Sequence, residues 1–453
     1  MALLQRDDRG AGPDRARPAE SRSAAGRTHC RITAVRITPV AVWDPPLLNS
    51  VGVHEPYQLR AIIELDTEDG LTGLGEAYGD DPTLANLRRA APELIGADVF
   101  DLNGVQRRVA GALGQVTANS MTELVGAASV PKTVAQTYGA FEVACYDAQG
   151  KVTGLRVCDL LGGAVREAVP FSAYLVYRWA GHPDGADRLG SAADGWAPAL
   201  DPESIVTQAR RLVDDYGFGS LKLKGGVFAP DLEVEAVLAL REAFPDLPLR
   251  LDPNANWSVE TSIRIAHKLE GLLEYLEDPT DGNPGMAAVA RATSLPLATN
   301  MCVTSFAEVP EAVALDSVAV ILSDHHYWGG FRASQRLSGL CDTFGWGMSM
   351  HSNTHLGISL AAMTHLAAAT PNLTYACDTH SPWQREDVVE PGALIWSDGS
   401  LGVPTGPGLG ITLDPAALAK LHEQYLACGV RTRDDKAAMR LVDPSWTGQR
   451  PRF

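Results

Sequence analysis

The sequence predicts an α/β protein in which an α+β module precedes a closed barrel of βα units, and three observations carry that prediction. Up to about residue 161 the chain reads as strands followed by helices. From about Val169 to His380, short apolar runs alternate with helical segments, the rhythm of βα units and a parallel sheet. Nearly every one of those runs ends in a polar residue: Lys224, Asp252, Glu277, Asn300, Asp324, His351 and His380. In a (β/α)8 barrel the C-terminal ends of all strands meet on one face, where such side chains would share one pocket.

Taken in chain order, residues 1–30 are rich in Arg, Asp, Ala, Pro and Ser and lack the apolar core of a secretory signal. They predict a disordered tail; Asp7, Asp8, Asp14 and Glu20 argue against an organelle-targeting sequence. From Ile32 the runs "RITAVRITPVAVW" and "YQLRAIIELDTEDGLTGLGEAYG" predict strands, with "TEDG" as a hairpin turn. The glycines of "GLGEAYG" are read as turn glycines, since a dinucleotide loop needs G-x-G-x-x-G inside a βαβ unit. Helical patterns follow from about Pro82 to about Leu161. The barrel strands are then "VPFSAYLV", "SLKLKG", "LPLRLDPN", "LEYLEDP", "PLATN", "SVAVILSD", "WGMSMHS" and "LTYACDTH". An open doubly wound sheet would not gather eight strand ends so tightly.

The bulk numbers fit that architecture. A chain of 453 residues accommodates a barrel of about 250 residues and an accessory domain. With 45% hydrophobic and 21% charged residues the composition is that of a globular enzyme, which argues against disorder. Lys and Arg total 38 against 55 Asp and Glu, a net charge of −17 that disfavours nucleic acid and anionic membranes as partners. No run approaches the roughly 20 apolar residues of a membrane span, so a soluble, cytoplasmic protein is expected. Seven cysteines, an odd count without a C-x-x-C pair, read as reduced thiols that pack the core.

The chemistry begins at "SLKLKG". Lys222 and Lys224 are two apart and share one face of a strand whose other face is Leu221 and Leu223. Two buried ammonium groups side by side require an anion. Asp252, Glu277 and Asn300 end the third, fourth and fifth strands and offer only oxygen ligands, the set that a hard cation such as Mg²⁺ prefers. Each alone is equally readable as a helix cap, because "DPN" and "EDP" are also cap and turn sequences. A metal-bound carboxylate substrate would supply the missing anion. A lysine held neutral beside the cation could then remove the proton next to that carboxylate. Asp324 and His351 end strands six and seven, and an Asp that fixes one imidazole nitrogen makes the other an acid or base. In "HSNTH" His351 and His355 are four apart but lack the Glu of H-E-x-x-H, which places His355 at the start of the next helix or in the core.

These residues resemble the enolase superfamily: the K-x-K of Lys222 and Lys224, the Asp252, Glu277, Asn300 series, the Asp324 and His351 dyad, and the late "VPTGPGLGITLD". Other stretches resemble its glucarate dehydratases: "NSVGVHEPYQLR", "LDPNANW", "MHSNTHLGISLAAMTHLAAA", "RDDKAAMRLVDPSW" and "SAYLVY". The resemblance implies a modified TIM barrel, (β/α)7β, with an N-terminal α+β capping domain completed by the C-terminal segment. The expected division is 1–30 tail, 31–165 capping domain, 166–395 barrel and 396–453 returning segment. It implies Lys224 as base with Lys222 as its electrostatic partner, and His351 as base or leaving-group acid on the other face. It further implies Mg²⁺ as cofactor, an aldarate such as D-glucarate as substrate, loss of water as the reaction, and a homo-oligomer. Asn49, His54, Tyr174, Asn254, Asn353 and Arg433 would bind substrate, Arg433 through a terminal carboxylate. The insertion "AGHPDGADRLGSAADGWAPAL" after the first barrel strand departs from the pattern and is a candidate lid. Epimerisation or cycloisomerisation would use the same two bases. A Schiff-base aldolase would leave the oxygen ligands without purpose, and a binding barrel would predict gaps in the set.

Overall fold

The computed structural model describes residues 30–114, 116, 118, 128–183, 185 and 195–453. Residues 1–29 of the expected tail, and 184 and 186–194 of the candidate lid, lie outside the described residues. The capping domain starts with an antiparallel sheet, β1 (Ile32–Trp43), β2 (Tyr57–Thr67) and β3 (Thr72–Tyr78), in the order β1-β2-β3. The expected turn joins β2 to β3, with Gly70 at φ +74°. The long helix Val130–Thr153 lies against β3.

That packing corrects the reading of "GLGEAYG". Gly73 and Gly75 lie inside β3, not in a turn, and the helix backbone presses on them. A Cβ at Gly73 would sit 2.1 Å from Ala144 O, so glycine is required there by close approach and not by a turn.

Next comes β4 (Ala168–Pro170), followed by the parallel barrel strands β5 (Ala173–Val176), β6 (Leu221–Lys224), β7 (Leu249–Asp252), β8 (Tyr275–Glu277), β9 (Leu297–Thr299), β10 (Val320–Ser323) and β11 (Gly347–Met350). They pair in chain order from β5 to β11. Alternation decides what faces inward: Leu221 and Leu223 of β6 join the apolar core, while Lys222 and Lys224 project into the barrel. In-register pairing of Tyr174, Lys222, Arg250 and Tyr275 stacks four large polar or aromatic side chains as one interior layer.

Two expected strands differ from the run read in sequence. "VPFSAYLV" splits, because β4 leaves the barrel to pair antiparallel with β13 (Ser400–Gly402), itself paired with β12 (Trp396–Ser397). "LTYACDTH" is not a regular strand, since Thr374 N and Tyr375 N both donate to Met348 O and break the ladder. The segment still closes the barrel: Ser172 N donates to Cys377 O (2.8 Å), Cys377 N to Pro170 O (2.9 Å) and Asp378 N to Met350 O (2.8 Å). The returning helix Pro415–Cys428 packs on β1, with His422 Nδ1 2.7 Å from Pro39 O. All seven cysteines are free thiols, and among the described residues no helix is long and apolar enough to cross a membrane.

Candidate active site

The ends of β6, β7 and β8 hold a charge cluster that is buried except where Lys224 reaches the cavity. Lys222 Nζ donates to Asp378 Oδ2 at 2.6 Å and to Glu277 Oε1 at 2.7 Å, with Asp252 Oδ2 at 3.6 Å. It is also 2.7 Å from Glu277 Oε2, but only the bond to Oε1 is well aligned. Lys224 Nζ donates to Asp252 Oδ2 at 2.6 Å. The anion that the two lysines demanded is thus first of all the protein's own set of strand-end carboxylates. Burial alone would pull both ammonium groups toward neutrality. For Lys222 the charges of Asp378 and Glu277 reverse that pull, and for Lys224 that of Asp252 does, so both are held protonated. A lysine neutral enough to act as a base is therefore not what this charge arrangement sets up.

Three carboxylates face two ammonium groups, and Glu277 bears the surplus. Burial and the neighbouring Asp252 push its carboxyl well above the usual range. Asp252 is pushed up by burial too, but Lys224 and Lys222 outweigh that and hold it ionised. Asn254 supports Asp252 from behind: its N and Nδ2 donate to Oδ1 at 3.0 and 2.6 Å, with Asn254 itself at φ +51°. Asp278 fixes the fifth strand end, accepting from Thr299 Oγ1 at 2.5 Å and Asn300 N at 2.8 Å. Asn300 Oδ1 is buried and makes no hydrogen bond.

The ends of β10 and β11 are built from imidazoles around one carboxylate. His351 Nδ1 is 3.0 Å from Asp324 Oδ2, and the same oxygen is 3.7 Å from His355 Nε2. Asp324 Oδ1 accepts from His326 N at 2.8 Å, so one side chain caps the short helix His325–Trp328 and orients the imidazole. Burial would raise Asp324, but the bond from His351 and the nearby rings of His355 and His326 hold it well below the usual carboxylate range. Burial lowers His351, only partly offset by Asp324. Residues 351–356 form no helix, and His355 is buried in that loop, as the missing Glu of the zinc motif indicated. Asp324, His326 and His355 do offer three ligand atoms within 4.8 Å of one another. A cation there would meet the buried Arg60 guanidinium, 3.3 Å from His326 Nε2.

One cavity is lined by Lys224, Asn300 and His351, with Asn49, His54, Tyr174, Asn254, Asn353 and Arg433 also in its wall. The side chains expected to bind substrate differ in how free they are. Asn254 Oδ1 is buried and unbonded. His54 keeps one ring nitrogen after Nδ1 meets Asp44 Oδ2 at 3.0 Å. Asn49 is engaged at both ends, by Asp435 Oδ2 at 2.7 Å and by Val51 N and Gly52 N. Arg433 is spent on Asp435 (2.7 and 2.9 Å), Asp44 (3.0 Å) and Gln58, so a substrate carboxylate would have to displace one of these.

Asp378 was not expected at the site, and His380 was expected there only as a strand-end residue without a role. Asp378 is the nearest partner of Lys222, and His380 packs at a tilt against Tyr174, ring centroids 4.3 Å apart, with its Nδ1 unbonded. A signal was present: the two are i and i+2 at a strand end, the spacing that made Lys222 and Lys224 conspicuous. Tyr327 carried no such signal; it stacks on His351 at 5.3 Å and meets Tyr78 hydroxyl to hydroxyl at 3.1 Å.

Comparison with known proteins agrees with this architecture. Residues 31–162 match the mandelate racemase / muconate lactonizing enzyme N-terminal domain, and residues 204–417 match the enolase C-terminal domain-like family. A protein from Streptomyces coelicolor named "Probable glucarate dehydratase" is 53% identical over 424 residues, covering 92% of this chain and 97% of its own. The crystal structure of an enolase from Mycobacterium smegmatis complexed with tartrate is 59% identical, with a TM-score of 0.89 over 94% of this chain and 100% of that one. One from Thermobispora bispora, complexed with magnesium and formate, is 57% identical with a TM-score of 0.90, over 93% and 100%. With both domain families matched in order, and a relative this similar over nearly its whole length, the chain belongs to the enolase superfamily.

Proposed function

We propose that the protein is a Mg²⁺-dependent acid-sugar dehydratase that removes water from an aldarate such as D-glucarate. The observation that carries this reading is the meeting of Lys224, Asn300 and His351 in one cavity, with Lys224 bonded to the buried carboxylate cluster behind it and His351 to Asp324. The relative named as a probable glucarate dehydratase and the neighbour holding magnesium support it.

The residues fit the metal. Asp252, Glu277 and Asn300 present oxygen only, Asn300 Oδ1 is an orphaned buried acceptor, and the cluster carries one carboxylate more than its lysines balance. The metal's chemistry there is electrostatic, offsetting the second negative charge that a carboxylate gains when its α-proton leaves. Lys224, whose Nζ faces the cavity, takes that proton on one face of the substrate. Because Asp252 holds it protonated at 2.6 Å, its service as base requires that carboxylate's charge to be engaged elsewhere, as a ligand role would do. Lys222 stays charged and keeps Glu277 and Asp378 in place. His351, oriented through Nδ1 by Asp324, presents Nε2 on the other side: as the imidazolium it gives its Nε2 proton to the departing hydroxyl, and as the neutral ring it takes a proton from a substrate bound the other way round. His54, Tyr174, Asn254 and Asn353 position the chain of hydroxyls, and Arg433 holds the far carboxylate once Asp44 or Asp435 yields.

Purified protein with Mg²⁺ and a panel of aldarates and aldonates, scored for keto-acid formation, tests the reading. The expected outcome is dehydration of one acid by the wild type and loss of that activity in Lys224→Ala and His351→Asn. Deuterium exchange without keto acid would replace dehydration by isomerisation, and turnover unaffected by both substitutions would overturn the roles.

A further inference from the structure

Beyond the helix Asp435–Arg440, the chain runs from the capping loop to the loops that follow β6 and β7, and its contacts there serve no step described above. Trp446 Nε1 donates to Val51 O at 2.6 Å, in the loop that carries Asn49 and His54. Arg450 Nη1 donates to Asn254 O at 3.1 Å. Arg452 N donates to Asn256 O at 3.0 Å and to its Oδ1 at 3.1 Å, and the Arg452 guanidinium reaches Gly226 O at 3.0 Å and Val227 O. Ser258 N donates to Phe453 O at 2.5 Å. The guanidinium is itself braced, 4.6 Å above both the Trp446 and Phe453 rings.

What these bonds hold is the loop that leaves Lys224. The amides of Gly226, Val227 and Phe228 donate to the buried Glu233 carboxylate at 2.9, 2.8 and 3.0 Å, while the carbonyls of Gly226 and Val227 accept from Arg452. One carboxylate thus fixes the donor edge of the loop and one guanidinium its acceptor edge. The loop is pressed against its neighbour: Gly226 has φ +73°, and a Cβ there would lie 2.2 Å from Pro253 O. Asn256 Nδ2 bonds Gly226 O at 2.5 Å, so the β6 and β7 loops and residues 450–453 form one bonded unit.

We propose that Arg452 is a positioning residue: residues 446–453 form a strap that clamps the loop after Lys224 to the loop after Asp252 and ties both to the capping loop. The clamp itself stands on these contacts, and its catalytic purpose rests on the dehydratase reading. Its test compares Arg452→Ala and Arg452→Lys with the exposed control Arg264→Ala, all with Mg²⁺ added. Amide hydrogen exchange is followed by mass spectrometry, alongside melting temperature and turnover of the acid that the wild type dehydrates. In Arg452→Ala, exchange over 225–228 and 254–258 should rise about tenfold with the barrel strands and melting temperature unchanged. kcat should fall about tenfold, by more than KM rises. Arg452→Lys should recover part of both, and Arg264→Ala should match the wild type. Unchanged exchange in the two loops overturns the clamp, as does a uniform rise over the whole chain with a lowered melting temperature. Loosened loops with unchanged kcat overturn the positioning role. A wild type that turns over no acid defeats the dehydratase reading alone, and the loop exchange still decides the clamp.

Discussion

At the ends of β6 to β8, Lys222 and Lys224 are buried among three carboxyl groups, those of Asp252, Glu277 and Asp378; at the ends of β10 and β11 a single carboxylate, Asp324, stands among His325, His326, His351 and His355. Burial acts on both sides, with opposite results. Around the lysines the carboxylates outweigh desolvation and both ammonium groups stay charged. Around Asp324 desolvation wins, so His325 falls to about 4 and His326 and His351 are lowered as well. The lysine side therefore holds one carboxyl group, Glu277, that its two ammonium groups do not balance, and a cation that displaced its proton would restore the match. The histidine side keeps His325, His326 and His351 neutral, with Asp324 beside His351 to offset the charge its ring gains on taking a proton.

The largest effect should come from removing the proton-transfer group of either side. Lys224→Ala and His351→Asn should each lower kcat on the order of 10²–10⁴-fold. Steady-state kinetics on the dehydrated acid checks this; a loss in only one variant would leave one side without a chemical role.

Stability separates the two sides more sharply. Asp378→Asn strips a full charge from a buried ammonium and should cost about 3–5 kcal/mol. His355→Gln replaces a buried ring 3.7 Å from Asp324 Oδ2 and should cost nearer 1 kcal/mol. Denaturant unfolding of both variants measures the contrast, and equal losses would break it.

His365, remote from the cavity, shows what burial alone does to an imidazole. Its Nδ1 accepts from Cys158 N at 3.4 Å and Nε2 lies 3.1 Å from Leu409 O, so a second ring proton would face a donor. Burial lowers its pKa to about 4. With an unfolded value near 6.5, the unfolded chain binds the extra proton between about pH 6.5 and 4. The stability His365 contributes is therefore complete above 6.5 and lost as pH falls to 4, about 3 kcal/mol in all. His365→Gln should flatten the stability profile in that window, as thermal melts across pH would show. At the small end, Gly73→Ala should cost about 1–3 kcal/mol by overpacking β3 against the helix while leaving kcat near wild type.

The sequence made the strand ends legible because alternation and the barrel rule both act locally. "LKLK" separates its inward lysines from its outward leucines, and each acid follows its apolar run directly. Pairings across the fold were not legible. Lys222 finds Asp378 across 156 residues, and no pattern near either residue reports the other. Nor does local spacing show that Arg433 is already held by Asp44 and Asp435, or that residues 446–453 come back to the barrel loops. "GLGEAYG" misled because glycine serves turns and close packing alike, and only the partner helix decides between them. The eighth strand was legible as a run but not as a ladder, since Met348 O draws two amides at once.

Calorimetric titration of Mg²⁺ into the wild type, Glu277→Gln and Asp324→Asn tests most directly which side of the cavity takes the cation. Surplus charge at the lysine side predicts a saturable site in the wild type that Glu277→Gln abolishes and Asp324→Asn retains. Binding that survives Glu277→Gln, or that disappears in Asp324→Asn, would contradict it.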